Sequence, residues 1–331
     1  MKHFFVRQEG FRLIWRNNTN SKKQTLMSDP RIGENIVRLA SPDELPSDTQ
    51  IVILGFPHDE GVRRNGGRVG ARFGPDNMRD VHLKRIGTVI NPEFDHADAS
   101  NVKIVDLGNV CSMEDEFDVA HDALRTTVRR VIDHVASPIP FVIGGGNDQS
   151  FSNAMGLLTS RIVTDRSRVA VINIDAHLDV REQKNGLEHS GSPFRLLLEQ
   201  DGFDGRHFVE FAAQGSQCSV AHANFVKQVH GGSIYWLSQL RGTGHNTVKQ
   251  QFDELLKRLG ETCDHIFVSF DLDSVSMDFV QGVSCPSPLG LSAQDALDIC
   301  YLAGQNPKVK LFDLSEYNPQ EEGYRTGKMV A

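Results

Sequence analysis

The sequence has little cysteine, and its cysteines form no recognisable pattern. The 331 residues include five cysteines, which are scattered along the chain and never spaced as Cys-x-x-Cys. An odd, scattered set argues against a disulfide framework, and the missing close pairs argue against a thiolate zinc site. The chain therefore fits a reducing compartment, and we predict that it is cytoplasmic.

Long apolar runs and an excess of basic residues are missing as well. No apolar run approaches the roughly 20 residues of a membrane-spanning helix. The 35 Lys and Arg residues are outnumbered by 43 Asp and Glu residues, which gives a net charge of −8. Since phosphate groups repel an acidic chain, neither a nucleic acid nor an anionic membrane is expected to be the main partner.

The N-terminal end departs from this balance. Residues 1–26 carry six basic residues against the single acid Glu9, with aromatic residues interleaved. This pattern could be an organellar targeting signal, although the segment is not rich in serine and has no secretory apolar core. The other interpretation is an extension that packs on the main domain, and we place that extension at residues 1–47.

Apolar strands alternate with amphipathic helices over residues 48–331. We count about eight such strands, the first at residues 51–56 and the last at residues 308–314. This alternation predicts a mostly parallel sheet with helices on both faces, because each crossover connection is right-handed and returns over the sheet. The predicted fold is therefore a single three-layer α/β/α domain.

One of these strands, at residues 171–174, runs directly into Asp175-Ala-His177-Leu-Asp179. In an extended chain, residues two apart point the same way, so both carboxylates and the imidazole face one side. A solvated polar strand end has the same composition, and for a lone short motif that interpretation is the commoner one. A functional interpretation is favoured only if a second acidic motif occurs elsewhere in the sequence.

A second apolar strand, at residues 265–270, ends with two more carboxylates, Asp271 and Asp273. The carboxyl ends of parallel strands meet at one sheet edge, which is where α/β folds place their chemistry. Four carboxylates in one place would repel one another unless cations lay between them. Oxygen ligands with few imidazoles suit Mn²⁺ better than Zn²⁺. We therefore predict a metal cluster that holds two ions.

Two glycine-rich loops are predicted near the same edge. Residues 144–150, Gly-Gly-Gly-Asn-Asp-Gln-Ser, follow a short buried strand, and glycine lets the backbone turn sharply there. Residues 61–75 are rich in Gly and Arg and end at a proline suited to the first turn of a helix. Cys285, soon after the second acidic motif, lies near the site or is a buried structural thiol.

These motifs, in this order, resemble the ureohydrolase superfamily of arginase, agmatinase and formimidoylglutamase. The resemblance covers roughly residues 48–320 and rests on residues 66–75, 144–150, 175–179, 269–273 and 315–319. Within the superfamily, residues 179–181 followed by Ser-Gly-Ser-Pro-Phe at 190–194 are most similar to formimidoylglutamases. Arginases carry a His at about the place of Phe194.

The resemblance implies an arginase-like fold, assembly as a trimer or hexamer, and a binuclear Mn²⁺ site. Carried over residue by residue, it implies that Asp175 and Asp271 bridge the two ions. Asp179 would complete one metal site, and His177 with Asp273 would complete the other.

The sixth ligand of the family is a His, and this chain has Asn147 in its place. An amide oxygen is neutral and a weaker donor for Mn²⁺ than an imidazole nitrogen. We therefore expect the metal site next to Asn147 to bind its ion weakly. In the alternative, Asn147 has left the metal shell and Asp148 turns into it.

The resemblance also implies the reaction, hydrolysis of N-formimidoyl-L-glutamate to L-glutamate and formamide in histidine degradation. A hydroxide that bridges the metals would attack the amidine carbon. Asp179 would pass a proton to the leaving amine, and Glu316 would pair with the cationic nitrogens of the substrate. For the substrate carboxylates we predict Arg181, Ser190 and Arg195 as binding residues.

Other functions stay open at this point. Another amidinohydrolase, acting on arginine, agmatine or a guanidino acid, would share every metal ligand. A mononuclear metal hydrolase is a further possibility. Asn147 also suggests a metal-poor, catalytically silent homologue that serves as a binding or regulatory subunit. For the enzyme, the expected partners are a small-molecule substrate and further copies of the same chain.

Overall fold

A computed structural model of the chain describes residues 31–85, 87–91, 97–242 and 247–331. The basic segment at residues 1–26, with its possible targeting role, lies outside the described residues. Within these ranges, no helix has the length and apolar character needed to cross a membrane.

The described strands form one large parallel sheet and one small antiparallel pair. They are β1 (Val37–Arg38), β2 (Ile51–Phe56), β3 (Ile90–Asn91), β4 (Ala97–Asp98), β5 (Ile104–Asn109), β6 (Ile139–Gly144), β7 (Val169–Ile174), β8 (Phe208–Ala213), β9 (Ser233–Trp236), β10 (His265–Asp271) and β11 (Val309–Ser315). The large sheet has nine strands in the order β1-β5-β2-β6-β11-β10-β7-β8-β9, and every neighbouring pair is parallel. The mostly parallel sheet predicted from the sequence is confirmed.

The count of about eight strands omitted β1, which pairs with β5 at one edge of the sheet. This strand precedes residue 48, so part of the segment predicted as an extension contributes to the sheet. Two residues are too short to give a periodic signal, which explains why the sequence did not indicate it. The division of the chain at residue 48 stays a prediction.

Helices lie between the strands and cover both faces of the sheet. They are α1 (Glu60–Asn65), α2 (Gly74–Asn77), α3 (Phe117–Ile132), α4 (Gln149–Leu158), α5 (Pro193–Leu198), α6 (Val220–Asn224), α7 (Leu237–Leu240), α8 (Val248–Thr262), α9 (Ala293–Gln305) and α10 (Arg325–Val330). The predicted proline of the first turn lies in α2, and α2 continues into a π-helical segment at Met78–Leu83. Ser292 caps α9, and its hydroxyl accepts a hydrogen bond from the Asp295 amide.

The strand β7 shows how one apolar run serves two cores. Val169 and Val171 pack into the core that contains buried residues of α3, α4 and α5. Ala170, Ile172 and Ile174 pack into the opposite core, with α8 and α9. Successive strand residues point to opposite faces, so a strand covered on both sides needs a continuous apolar run. The three-layer architecture follows from this pattern.

A buried ion pair fixes the helical segment after α2 against β5. Arg79, which is 6% exposed, donates through Nε to both oxygens of Asp106, at 3.1 and 2.9 Å. Its other nitrogens donate to Asn109 Oδ1 and the Gly108 carbonyl. Asp106 is 4% exposed, so the pair is withdrawn from solvent.

We expect Asp106→Ala to lower the free energy of unfolding by about 3–5 kcal/mol, because it leaves the Arg79 charge buried without its partner. Chemical denaturation monitored by circular dichroism measures this change. The matched control is Asp264→Ala, which breaks the exposed Asp264–Arg168 pair and should cost no more than about 1 kcal/mol. Similar losses in both variants would contradict the prediction.

Candidate metal centre

Four neighbouring strands, β6, β11, β10 and β7, carry polar residues at their carboxyl ends. Asn147 follows β6, Glu316 follows β11, and Asp273 follows β10. Asp175 comes directly after β7. Because these strands are adjacent and parallel, the side chains that follow them meet at one edge of the sheet.

Five of the predicted metal ligands lie at the ends of β7 and β10, and they form two overlapping groups. In one group, ligand atoms of Asp175, His177 and Asp273 lie within 4.8 Å of one another. In the other, ligand atoms of Asp175, Asp179 and Asp271 do the same. Asp175 belongs to both groups, which is the position of a residue that bridges two ions. Whether each residue binds metal stays a prediction.

His177 links the two strand ends in this arrangement. Its Nδ1 lies 3.3 Å from Asp175 Oδ1 and 3.1 Å from Asp273 Oδ2. The negative charge of Asp273 raises the pKa of His177, against the opposing effect of burial. The neighbouring carboxylates therefore favour the charged form of this imidazole.

Burial and mutual repulsion act strongly on the carboxylates. Desolvation, with the charge of Asp175, raises the pKa of Asp179 well above its ordinary value. Desolvation and the charges of Asp273 and Asp175 do the same to the pKa of Asp271. Burial raises the pKa of Asp273 to about 6, although the His177 charge opposes the shift. Divalent cations would relieve the cost of gathering these charges.

Two buried carboxylate oxygens also lack partners among the described residues. They are Asp273 Oδ1 and Glu316 Oε2, and both side chains are 4% exposed. A buried polar atom without a hydrogen bond is costly. The residues at this edge of the sheet therefore fit a pair of hard divalent cations.

Asn147 lies against the carboxylates through its amide nitrogen. Nδ2 donates to Asp179 Oδ2 at 2.9 Å and to Asp175 Oδ2 at 3.4 Å. Its Oδ1 accepts from the hydroxyls of Ser150 at 2.9 Å and Ser315 at 3.1 Å. Serine hydroxyls can also accept hydrogen bonds, so a rotated amide would keep its serine contacts and turn its oxygen towards an ion.

The alternative in which Asp148 replaces Asn147 in the metal shell is wrong for this structure. Asp148 Oδ2 lies 2.9 Å from His121 Nε2 on α3, and Asp148 shares no group with the other carboxylates. It begins α4 on the side of the sheet that α3 covers. Adjacent residues in the glycine-rich turn point in different directions, and only Asn147 reaches the cluster.

Two residues of the site have a left-handed backbone. The φ angle is +43° at Asp179 and +67° at Glu316. This conformation is unfavourable for residues with a Cβ, and such residues are concentrated at functional sites. The turn at Glu316 is held by its amide, which donates to the Gly145 carbonyl at 2.7 Å. Glu316 Oε1 accepts a hydrogen bond from the backbone N–H of Asn147 at 3.1 Å, so Oε2 is the oxygen left for a ligand.

The predicted substrate-binding residues are in different environments. Arg195 is engaged: it lies 3.2 Å from Glu199 and 3.4 Å from Glu182, and its guanidinium is 4.3 Å from the ring centre of Phe225. Arg181 is exposed, and no ion pair to it is seen among the described residues. Of these two arginines, Arg181 is therefore the one with a free charge.

Ser190 is buried in the segment that follows, and its Oγ accepts a hydrogen bond from Asn65 Nδ2 at 3.2 Å. Asn65 also comes close to Gly191, where a Cβ would lie 3.1 Å from Asn65 Nδ2 and 3.0 Å from Arg181 Cδ. Arg181, Ser190 and Asn65 are therefore neighbours. Asn65 had no distinguishing feature in the sequence.

Several residues behind the cluster were missed by sequence reasoning. Asn173 donates to both Asp175 Oδ2 at 3.2 Å and Glu210 Oε2 at 2.9 Å. Glu210 is fully buried, and desolvation and the Asp175 charge raise its pKa well above the ordinary value. A charged residue inside the apolar run of β8 was the available signal. Buried carboxylates in a strand need a partner from a neighbouring strand.

Cys285 corrects another expectation. Of the two interpretations, burial as a structural thiol is wrong, because Cys285 is exposed. The charge of Asp273 and, to a smaller extent, the Cys285 side chain raise the pKa of His177, so the loop after β10 comes close to the metal centre. Arg68 holds this loop from the other side, donating to the carbonyls of Ser284 at 2.9 Å and Val283 at 3.1 Å.

Sequence comparison finds matches over most of the chain. A family model described as Arginase family matches residues 49–331. The formimidoylglutamase of Photorhabdus laumondii is 31% identical over 274 residues, which cover 81% of this chain and 78% of that protein. The formimidoylglutamase of Aeromonas hydrophila is 29% identical over 283 residues, 85% of this chain and 84% of that protein.

Solved structures with the same fold are also similar in sequence. Trypanosoma cruzi formiminoglutamase with Mn²⁺ is 43% identical, with 92% of this chain and 95% of that chain covered and a TM-score of 0.81. An asparagine-to-histidine variant of that protein, also with Mn²⁺, is 43% identical, covers 91% and 94%, and has a TM-score of 0.80. Bacillus subtilis formimidoylglutamase, 22% identical, has a TM-score of 0.79 over 98% of this chain and 92% of that chain and supports the fold alone.

Proposed function

The chain belongs to the arginase family, and from this premise we propose that it hydrolyses N-formimidoyl-L-glutamate to L-glutamate and formamide. Curated relatives at 29–31% identity and a solved structure at 43% identity are named for this activity. The observation that carries the proposal is the pair of overlapping ligand groups that share Asp175. Attack of water on an amidine carbon is the kind of reaction that such a centre promotes.

The proposed cofactor is a pair of Mn²⁺ ions. Asp175 with Asp179 and Asp271 would hold one ion, and Asp175 with His177 and Asp273 would hold the other. Asp271 is the second proposed bridging ligand, and Asn147 would bind weakly through its rotated amide. When bound, the two ions would lower the pKa of a water molecule towards neutrality and so supply a nucleophile.

Glu316 and Asp179 are the proposed catalytic residues. Glu316 Oε2 has no partner among the described residues and lies in a buried side chain, so it is suited to pair with the cationic nitrogens of an amidine. That pairing would hold the planar carbon in place for attack. Asp179, whose pKa is raised by burial and neighbouring charge, would carry a proton to the leaving amine.

The two carboxylates of the substrate need donors outside the metal centre. Arg181 has an exposed guanidinium, and Ser190 with Asn65 forms a hydrogen-bonded pair next to it. Arg195, the other predicted donor, would first have to leave Glu182 and Glu199. We therefore assign the main recognition of substrate carboxylate to Arg181.

The test of the proposed function is a substrate panel with Mn²⁺-loaded protein. Formation of formamide from N-formimidoyl-L-glutamate should greatly exceed formation of urea from arginine, agmatine or guanidino acids. A urea product would assign another amidinohydrolase activity. No product from any substrate, with Mn²⁺ shown to be bound, would support the silent homologue instead.

Replacing Arg181 by Ala should raise KM for N-formimidoyl-L-glutamate by about 10- to 100-fold, because a hydrogen bond to a charged group contributes about 1.5–3 kcal/mol. The value of kcat should change much less, since the reacting atoms are distant from this contact. Arg195→Ala is the matched variant. A rise in KM for Arg195→Ala alone would assign carboxylate binding to Arg195 and contradict the prediction.

Replacing Asn147 by His should tighten Mn²⁺ binding by about 10- to 100-fold, the range over which changes around a metal shell commonly act. Imidazole is the stronger donor for this ion. Isothermal titration of metal-free protein with Mn²⁺ measures the effect, with Asn147→Ala as the control for loss of the amide. Equal affinities in the parent and the His variant would show that position 147 does not face an ion.

A further inference from the structure

A second group of potential ligands lies apart from the carboxylate cluster. It consists of His58 in the loop after β2, His121 on α3 and Asp148 at the start of α4. One ligand atom from each lies within 4.8 Å of the other two, and all three residues are buried. We propose that these residues form a separate site for one divalent transition ion of the Zn²⁺ type, with a solvent molecule as the fourth ligand.

The hydrogen-bond geometry of His58 favours this assignment. Its Nε2 lies 3.1 Å from the carbonyl oxygen of Asp115, which can only accept a hydrogen bond. The ring proton is therefore on Nε2, and in the neutral ring Nδ1 carries a bare lone pair. Nδ1 is buried and has no hydrogen-bond partner among the described residues. This is the state in which a histidine binds metal.

His121 is oriented in the same way by a neighbouring oxygen. Its Nδ1 lies 2.8 Å from Ser152 Oγ, and its Nε2 lies 2.9 Å from Asp148 Oδ2. A proton on Nδ1, donated to the serine, leaves Nε2 as the ligand atom. With bonds of about 2.0–2.1 Å, two ligands of a tetrahedral ion stand roughly 3.3 Å apart. The imidazole and carboxylate, now 2.9 Å apart, therefore need to move only slightly apart to admit an ion. The ion then replaces any proton between them, and the ring proton lies on Nδ1.

Asp148 has one oxygen that the imidazole does not satisfy. Oδ1 is buried without a partner among the described residues. It is enclosed by backbone: a Cβ at Gly61 would lie 2.1 Å from this oxygen, and a Cβ at Gly146 would lie 2.4 Å from it. Glycine at both positions leaves the space that the carboxylate occupies. A simple His–Asp pair would leave His58 Nδ1 without a partner, whereas a cation held by His121 Nε2 and Asp148 Oδ2 would give that nitrogen one.

The type of ion follows from the donor set. Two imidazole nitrogens and one carboxylate are common ligands of Zn²⁺ with an open fourth position. The cluster around Asp175 has mostly oxygen donors and suits Mn²⁺. Because the two sites share no residue, each can be occupied without the other. An ion at the second site would fix Asp148, and with it the turn that carries Asn147.

Titration of the full-length, metal-free chain with Co²⁺ tests the proposal, because tetrahedral Co²⁺ absorbs visible light far more strongly than octahedral Co²⁺. We expect one equivalent of an intense band in the parent protein, which Zn²⁺ displaces. His58→Phe removes the lone pair but keeps a ring of similar shape, and it should abolish this band. Asp271→Asn, which alters only the carboxylate cluster, should retain it.

Circular dichroism checks that the variants are folded, and His121→Gln replaces His58→Phe if the latter is not. A parent protein without the intense band, or an equal band in a folded His58→Phe or His121→Gln variant, would overturn the proposal. The readout is spectroscopic, so inactivity towards N-formimidoyl-L-glutamate would reject the proposed function and leave this inference standing.

Discussion

Replacing Asp175 by Ala should abolish Mn²⁺ binding at both positions and lower kcat/KM by on the order of 10⁴-fold or more, because water without bound metal returns from a pKa of about 7 towards about 15.7. Asp175 is the one residue that the two overlapping ligand groups share. Its loss therefore removes a ligand from each ion at once. Metal content by mass spectrometry and formamide release measure the two effects.

Glu210→Gln is the control for this variant. Glu210 is as buried as Asp175 and is joined to it through Asn173, but it belongs to neither ligand group. Its raised pKa favours the neutral form, which glutamine imitates. The Gln variant should keep both ions. If Asp175→Ala retained two ions, or Glu210→Gln lost them, the centre would have to be built from other residues.

In the metal-free protein, Asp175→Ala should cost less stability than its lost hydrogen bonds alone would suggest. Without metal, Asp175 adds a buried negative charge that raises the pKa of Asp179, Asp271 and Glu210. Removing that charge relieves repulsion, which offsets part of the lost hydrogen bonds to His177 and Asn173. Metal should therefore stabilise the parent protein much more than it stabilises Asp175→Ala.

The parts of the fold that were predictable are those with strong local patterns. The strand β7 is a continuous apolar run because both of its faces are covered. The alternation of strands with helices implies that the strands pair in parallel. The motifs after β7 and β10 could be placed together because parallel strands end at one edge. Each of these inferences needs only neighbouring residues and the rules of sheet geometry.

Contacts between distant segments were not predictable in the same way. Arg195 was a candidate for substrate binding, but its partner Glu182 and the Phe225 ring become neighbours only in the folded chain. Whether Cys285 was buried depended on the path of an irregular loop. His58 and His121 come from two different elements and have no shared motif. Local sequence gives side-chain chemistry, whereas the availability of a side chain depends on tertiary partners.

For Asn147, the position could be predicted from the sequence but the orientation of the side chain could not. Its place after β6 predicted that it would reach the metal centre, and it does so through Nδ2. The direction of its amide depends on Ser150 and Ser315, which arrive from α4 and β11. The sequence therefore located the residue but could not indicate which end of the amide faces the carboxylates. This orientation decides whether the weak metal site exists.

Replacing Glu316 by Gln should lower kcat/KM by about 10²- to 10³-fold, since loss of one partner from a buried, hydrogen-bonded charge pair costs about 2–5 kcal/mol. Glutamine keeps the shape of the side chain and its hydrogen bond with the backbone N–H of Asn147. It removes the negative charge that would pair with a cationic amidine. Metal content should be unchanged, because Glu316 belongs to neither ligand group. Steady-state kinetics on metal-loaded protein measures the loss.

The control Glu321→Gln alters a partly exposed carboxylate on the same segment, which pairs with Arg68. It should change kcat/KM by less than about fivefold, since exposed pairs contribute about 0–1 kcal/mol.

The left-handed backbone at Glu316 leads to a further expectation about stability. A strained turn is retained where it holds a side chain for function, so Glu316→Gly should relax the turn and stabilise the fold as it removes activity. If Glu316→Gln instead lost metal with unchanged turnover per bound ion, Glu316 would be a determinant of metal binding and the proposed pairing with the amidine would fail.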